Sequence, residues 1–285
     1  MGKNMNNKIC LVTGATSGVG KATVLGLAEA GLHIVMLSRD RQRGDRVRSE
    51  IIQKTHHPHI DLLTADLSDQ NSIRLFASEF KNTYNRLDVL SNNAGILLPR
   101  RELTEDGIEK VWAVNYLSCY LLTGLLMDVL VKSGSGRILN VVGSPGMMRH
   151  IKMHFDDIQL EEKYNGFKAI GQSVLARLLF TYELSRRIEN YPVTVNAFHP
   201  GLIRSDLQRN MPGPVRWMAS LVQFLLSVRC RTSEYLALSE DISKVSGCYF
   251  VNRKAVSFHS KHIDRKTGSE LWSISESLTG FKYPL

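Results

Sequence analysis

The chain has 285 residues, with 36 basic against 27 acidic side chains, a formal charge of +9 with histidine neutral, and 43% apolar residues. This composition excludes disorder and supplies core for one large α/β domain or two small ones. No apolar run reaches the roughly 18–20 residues of a membrane span, and MGKNMNNK lacks a signal peptide's apolar stretch. It also lacks the Ser or Thr of a myristoylation signal, because Asn6 holds that place.

Cys10, Cys119, Cys230 and Cys248 form no CxxC and no His-spaced pair, which argues for reduced thiols, a cytoplasmic protein and no metal site. The basic residues are dispersed over Arg39 to Arg48, Arg100–Arg101, Arg186–Arg187, Arg204 to Arg216 and Lys261 to Lys266. Solvated faces and an anionic small ligand explain that spread better than nucleic acid does.

In chain order, Ile9–Val12 reads as a strand, followed by a glycine-rich turn and a helix from Lys21 to Glu29 that Gly31 stops. His33–Leu37 is a second strand and Arg41 to Thr55 a second helix. Ile60–Thr64, a helix from Ser72 to Tyr84 and the strand Leu87 to Leu90 follow. A long helix covers about Gly107 to Lys132, then come a strand Arg137 to Val142 and a helix from about Phe167 to Ile188. Val193–Phe198 is the sixth strand and Gly247 to Asn252 a candidate seventh. The alternation predicts parallel strands joined by right-handed crossovers, with helices on both faces of a doubly wound sheet. No linker or internal repeat divides the chain, so a single domain spanning 1–285 is expected.

An insertion over 208–232 differs in character. Pro212, Gly213 and Pro214 precede the apolar stretch Trp217 to Leu226. It reads as a lid over an apolar substrate, as a surface that dips into a membrane interface through 214–228, or as a short helix packed on the core.

Thr13-Gly14-Ala15-Thr16-Ser17-Gly18-Val19-Gly20 sits between the first strand and the first helix. A pyrophosphate needs close backbone and a helix N-terminus aimed at it, so Gly14, Gly18 and Gly20 suit the tight turn, the phosphate approach and close helix–strand packing. The second strand ends in Ser38-Arg39 instead of an acidic side chain. Arg39, with Lys21 as company, favours a 2′-phosphate and hence NADP over NAD, a choice that Asp40 reverses if it points inward.

With these residues the chain resembles the short-chain dehydrogenase/reductase family, and most of all its retinol-dehydrogenase-like branch, whose substrates tend to be apolar alcohols and carbonyls. The likeness rests on TGATSGVG at 13–20, Asp66-Leu67, Asn92-Asn93-Ala94-Gly95, Asn115, His199-Pro200-Gly201 and a closing Leu271-Trp272-x-x-Ser275. The resemblance implies a Rossmann-type, mainly parallel seven-stranded sheet and adenine contacts from Asp66 and Leu67. It further implies nicotinamide-side contacts from Asn93, Gly95, Pro200, Gly201 and Ile203, and a homodimer through the helices after strands four and five.

The family's chemistry uses a Ser, and a Tyr four residues before a Lys on one helix face. The ammonium lowers the phenol's pKa so that it trades a proton with the substrate oxygen, which the serine orients. The family's pattern Tyr-x-x-Ser-Lys-Leu-Ala-Asn-x-Leu-Phe-Thr-x-Glu-Leu matches Ile170 to Leu184 without a gap, which puts Ile170 in place of the tyrosine and Val174 in place of the lysine. The serine's place falls on Gly143, with Ser144 one residue late. A literal Tyr164-x-x-x-Lys168 stands six residues earlier. Six residues along a helix are about 9 Å and roughly 240° of rotation, so that pair faces elsewhere unless the helix starts earlier and slips. His150 and His154 are further candidate proton donors.

Three functions are open on these residues. One is an NADP-dependent oxidoreductase on an apolar alcohol or carbonyl, using Asn115, Ser144 and an unconventional acid. Another is a non-redox enzyme, an isomerase or cyclase, whose pocket mainly preorganises its substrate. The third is a nucleotide-binding pseudoenzyme.

Overall fold

The computed structural model describes residues 7–203, 227–258 and 263–285. The proposed lid at Trp217 to Leu226 lies outside the described residues. Eight strands form one sheet in the order β3-β2-β1-β4-β5-β6-β7-β8. They are β1 (Ile9–Thr13), β2 (His33–Ser38), β3 (Ile60–Thr64), β4 (Val89–Asn92), β5 (Gly136–Val141), β6 (Val193–His199), β7 (Tyr249–Val251) and β8 (Lys254–Val256). The first seven run parallel, and β8 returns antiparallel beside β7. The expected seven strands are therefore eight. Asn252 and Arg253, at φ of 49° and 65°, make the two-residue turn between β7 and β8, the backbone that a tight hairpin requires.

Alternate side chains of each strand enter opposite layers, which is why the strands read as continuous apolar runs. Leu11, Val35, Leu90, Ile138 and Val195 face one core, and Cys10, Ile34, Met36, Val89 and Leu139 face the other. The first core is covered by α3 (Gln70–Thr83), α5 (Ser118–Leu125), α6 (Met127–Lys132) and α8 (Gly166–Arg187). The second is covered by α1 (Gly18–Glu29), α2 (Arg41–Thr55) and α9 (Arg231–Leu238). On the α8 side, α10 (Arg265–Thr279) closes the core with Trp272, and Tyr116 bonds Ser275 hydroxyl to hydroxyl at 2.7 Å.

The long helix expected over Gly107–Lys132 is broken into α4 (Lys110–Trp112), a π-helical turn (Ala113–Leu117), α5 and α6. The wide turn carries Asn115, whose side chain bonds both backbone groups of Ile96, Nδ2 to O at 3.0 Å and N to Oδ1 at 2.7 Å. A single widened turn of this kind re-aims one side chain without ending the helix.

Two further pieces frame the site. The short α7 (Pro145–Met148) starts after β5 with Ser144 as its cap. The start of α8 is set by Asn165, whose side chain accepts from the backbone N–H groups of Phe167 and Lys168 at 2.9 and 3.1 Å. Gly166 then passes so close to the Leu98 carbonyl that a Cβ there would lie 2.2 Å from its oxygen. These two contacts fix the helix register and exclude an earlier start.

Candidate active site

The C-terminal ends of the strands open onto a cleft of about 510 Å³, the place where parallel α/β sheets bind ligands. Its first wall is the glycine loop. Gly14 and Gly18 hold φ of +62° and +54°, and a Cβ on Gly20 would lie 2.3 Å from the Gly14 carbonyl oxygen. Ser17, at the head of α1, makes no side-chain cap bond, so the first N–H groups of the helix stay available. Open backbone and a bare helix N-terminus fit a pyrophosphate. The loop is tied to the β4 end by Thr13, whose hydroxyl accepts from the N–H groups of Asn93 and Ala94 at 2.9 and 3.1 Å.

Gly14, Thr16, Ser17, Gly18, Val19, Gly20, Arg39, Asp66, Leu67, Asn93, Gly95, Pro200, Gly201 and Ile203 all line this cleft. Ala15 does not; it is fully buried in the core beneath the loop. Lys21 is also absent from the lining, and its ammonium pairs with Glu50 at 2.6 Å. Asp40 turns to cap α2 by accepting from the N–H of Arg43 at 3.0 Å. Arg39 stays exposed, 3.9 Å from Asp66, and Arg43 joins it in the lining. Asp66 is held by the backbone N–H and hydroxyl of Ser68, at 2.8 and 2.7 Å.

At the other end, Asn115, Gly143, Ser144, Met147, Ile170 and Val174 share the lining. Ile170 and Val174 stand one turn apart on α8. Gly143 is held by its carbonyl, which accepts from the Tyr249 hydroxyl at 2.7 Å. Ser144 caps α7 by accepting from the Met147 N–H at 3.3 Å. Asn115 is occupied by Ile96 and donates to the Ser173 hydroxyl at 3.2 Å.

Tyr164 and Lys168 lie outside the lining. The Tyr164 hydroxyl donates to the Leu98 carbonyl and to Glu109, each at 3.3 Å. Burial, with Glu109 beside it, pushes this phenol's pKa well up, the reverse of what an acid–base tyrosine needs. Burial likewise raises the Glu109 carboxyl, although the N–H groups of Val111 and Trp112 oppose it. Lys168 acts on His154, whose imidazole is held below its usual value first by burial and then by that ammonium. His150 and His154 are not in the lining either.

Two further residues, to which the sequence alone gave no role of their own, line the same cleft. His199, the last residue of β6, has a buried Nδ1 with no hydrogen-bond partner, and burial lowers its pKa. Its place directly before Pro200-Gly201 was the available signal. Arg177, which is 4% exposed, follows Ile170 and Val174 down the same face of α8 at intervals of four and three. The signal there was its position in the family's Leu-Ala-Asn stretch, where it replaces the asparagine. Among the described residues no cluster of three or more His, Cys, Asp or Glu could hold a metal ion, and no helix is long and apolar enough to cross a membrane.

Comparison with known proteins agrees with this fold. A family model described as short chain dehydrogenase matches residues 8–155. The human protein named retinol dehydrogenase 13 is 37% identical across 97% of this chain and 86% of its own length. Mouse retinol dehydrogenase 14 is 36% identical over 97% and 87%, and human polyprenol dehydrogenase is 33% identical over 96% and 86%. An uncharacterized protein from Mycobacterium paratuberculosis superposes with a TM-score of 0.77 at 28% identity, covering 99% of this chain and 97% of that one. A short chain dehydrogenase from Shigella flexneri complexed with NADP superposes at 0.67 and 22% identity, over 87% and 97%, a likeness of fold. The chain belongs to the short-chain dehydrogenase family of nicotinamide-dependent oxidoreductases, in its retinol-dehydrogenase-like branch.

Proposed function

We propose that the protein binds NADP(H) and acts as an oxidoreductase on an apolar alcohol or carbonyl, at a site where Gly143, Ile170 and Val174 stand in place of the family's serine, tyrosine and lysine. Membership of the family and the glycine-loop cleft carry the oxidoreductase reading, and the presence of Ile170 and Val174 in the same cleft wall as Gly143, with Tyr164 and Lys168 outside it, carries the reading of the site. Arg39 and Arg43 in the lining, with Asp40 turned away to cap α2, support the 2′-phosphate over the bare ribose. The apolar lining around Val142, Met147, Ile170 and Val174 suits an apolar substrate.

NADPH, when bound, supplies the hydride. The glycine loop and the head of α1 would hold the pyrophosphate and Asp66 and Leu67 would flank the adenine, while Asn115 fixes the Ile96 backbone in the same lining. Among the described residues, none that lines the cleft offers a strong acid at the carbonyl oxygen. Isoleucine and valine offer no proton, and a positioned acid–base group is worth about 10²–10⁴-fold. Among the described residues, Ser144 and His199 are the hydroxyl and imidazole that line this end of the cleft, so slow turnover is expected.

A second reading, nucleotide binding without turnover, is favoured by the same three replacements. Titration of NADPH fluorescence, followed by oxidation assays with a panel of apolar aldehydes, separates the two. Binding with slow turnover supports the oxidoreductase, binding without turnover supports the second reading, and no binding overturns both.

A further inference from the structure

Beneath the reactive end of the cleft lies a buried cation without a carboxylate. Arg177 is 4% exposed, and no acidic side chain pairs with it among the described residues. Its Nη1 donates to the carbonyls of Asn92 and Val141 at 3.4 and 3.1 Å, and its Nη2 to that of Ala94. Its Nε is buried with no partner. The groups packed nearby are neutral: the Cys119 thiol, which burial pushes up to about 11, donates to Asn140, and Asn92 and Asn140 bond each other. Carbonyl dipoles solvate this guanidinium but leave its net charge in place, and arginine does not lose its proton in a protein.

The other cations of the lining act elsewhere. Arg39 lies 3.9 Å from Asp66, where the nucleotide's phosphate-bearing ribose would sit, Arg43 shares the cleft lining, and Lys110 is paired with Glu102 at 2.9 Å. Phosphate charge is the same in both redox forms of the cofactor. Only the nicotinamide ring changes charge, being positive when oxidised and neutral when reduced. Arg177 stands between the strand ends that carry Asn93 to Gly95 and Val142–Gly143, three residues on from the Val174 that replaces the family's lysine.

We propose that Arg177 sets the redox form of the cofactor that the protein retains, its fixed buried charge favouring NADPH over NADP⁺ by opposing the positive ring. The inference rests on the nucleotide-binding reading and deepens it. A unit charge in a low-dielectric site discriminates by about tenfold or more. By linkage, a tenfold preference makes the bound two-electron couple about 30 mV easier to reduce. Hydride leaves NADPH less readily from such a site, so Arg177 and the missing acid act in the same direction, toward a protein that holds NADPH.

The test measures Kd for NADPH and for NADP⁺ in the wild type, Arg177→Lys and Arg177→Asn, with 2′-phospho-ADP-ribose, which has no nicotinamide, as the control ligand. Wild type and Arg177→Lys should favour NADPH by about tenfold or more. Arg177→Asn should bring the ratio within about threefold of unity while leaving the control ligand's Kd unchanged. A wild-type ratio near one, or a ratio that survives Arg177→Asn, overturns the proposal while leaving nucleotide binding intact. Failure of every ligand to bind wild type overturns the nucleotide reading itself. If Arg177→Asn does not fold, the salt dependence of the wild-type ratio decides. A buried charge is weakly screened, so the ratio should hold from low to high salt while both affinities fall through Arg39 and Arg43; a ratio that collapses with salt overturns the proposal.

Discussion

The hydroxyl of Tyr164 donates to Oε1 of Glu109 across 3.3 Å, so the tyrosine of the literal Tyr-x-x-x-Lys match fastens the entrance of α8 to the start of α4. A buried carboxyl that loses a donor costs stability, so Tyr164→Phe should lower the unfolding free energy by about 1–2 kcal/mol. NADPH affinity should not change. Urea denaturation and a parallel NADPH titration measure the two effects, and a large loss of affinity with unchanged stability would count against the assignment.

The glycine loop makes the sharpest claim about binding. A Cβ on residue 20 would meet the backbone oxygen of Gly14 at 2.3 Å, and one on residue 14 would meet Ala94 Cα at 2.8 Å with φ already positive. Neither obstacle is a flexible side chain that can move aside. Gly20→Ala should therefore weaken NADPH binding at least about tenfold, by prising α1 from β1. Unaltered binding in that variant would mean that the nucleotide lies elsewhere.

Cofactor choice turns on Arg39, exposed at the end of β2 and 3.9 Å from Asp66. Replacing it with glutamate puts a negative charge where the 2′-phosphate would sit and restores an acceptor for a ribose hydroxyl. Arg39→Glu should reverse the ratio of NADPH to NADH affinity, by roughly 100-fold overall. Retention of the original ratio would assign the selectivity to another group.

The order of strands and helices was legible because each element carries its own period: unbroken apolar runs for strands buried on both faces, wider spacing for helices. The glycine loop was legible because few backbones other than that of glycine can pass so near a helix start. Other features left no periodic trace. β8 has largely exposed side chains, and its turn uses Asn252 and Arg253 where a hairpin usually shows glycine. The π-helical turn at Asn115 is set by a bond to Ile96, far off in sequence. Arg177 looks like any surface arginine until three strand-end carbonyls are found around it.

Stability should depend on pH through His199. Burial lowers its pKa below the ordinary 6.5, so the folded protein takes up a proton less readily than the unfolded chain. The stabilisation is complete above 6.5 and is lost as pH falls below it toward the depressed folded value. His154 is shifted in the same direction and adds to the slope. Thermal unfolding of His199→Gln between pH 7.5 and about 5 should show a shallower loss than wild type; parallel curves would remove His199 from the account.

The central claim is that Ile170 and Val174 occupy the reacting positions, and reinstating the missing groups tests it most directly. Single-turnover oxidation of bound NADPH by an apolar aldehyde should be compared in wild type, Ile170→Tyr with Val174→Lys, and Tyr164→Phe. A Gly143→Ser change can be added, because the obstacle to its Cβ at 2.1 Å is the movable end of Met147. The double variant should react about 10²-fold faster or more, with Tyr164→Phe matching wild type. No acceleration in the double variant, together with loss of reaction in Tyr164→Phe, would place the acid at Tyr164 and contradict the account.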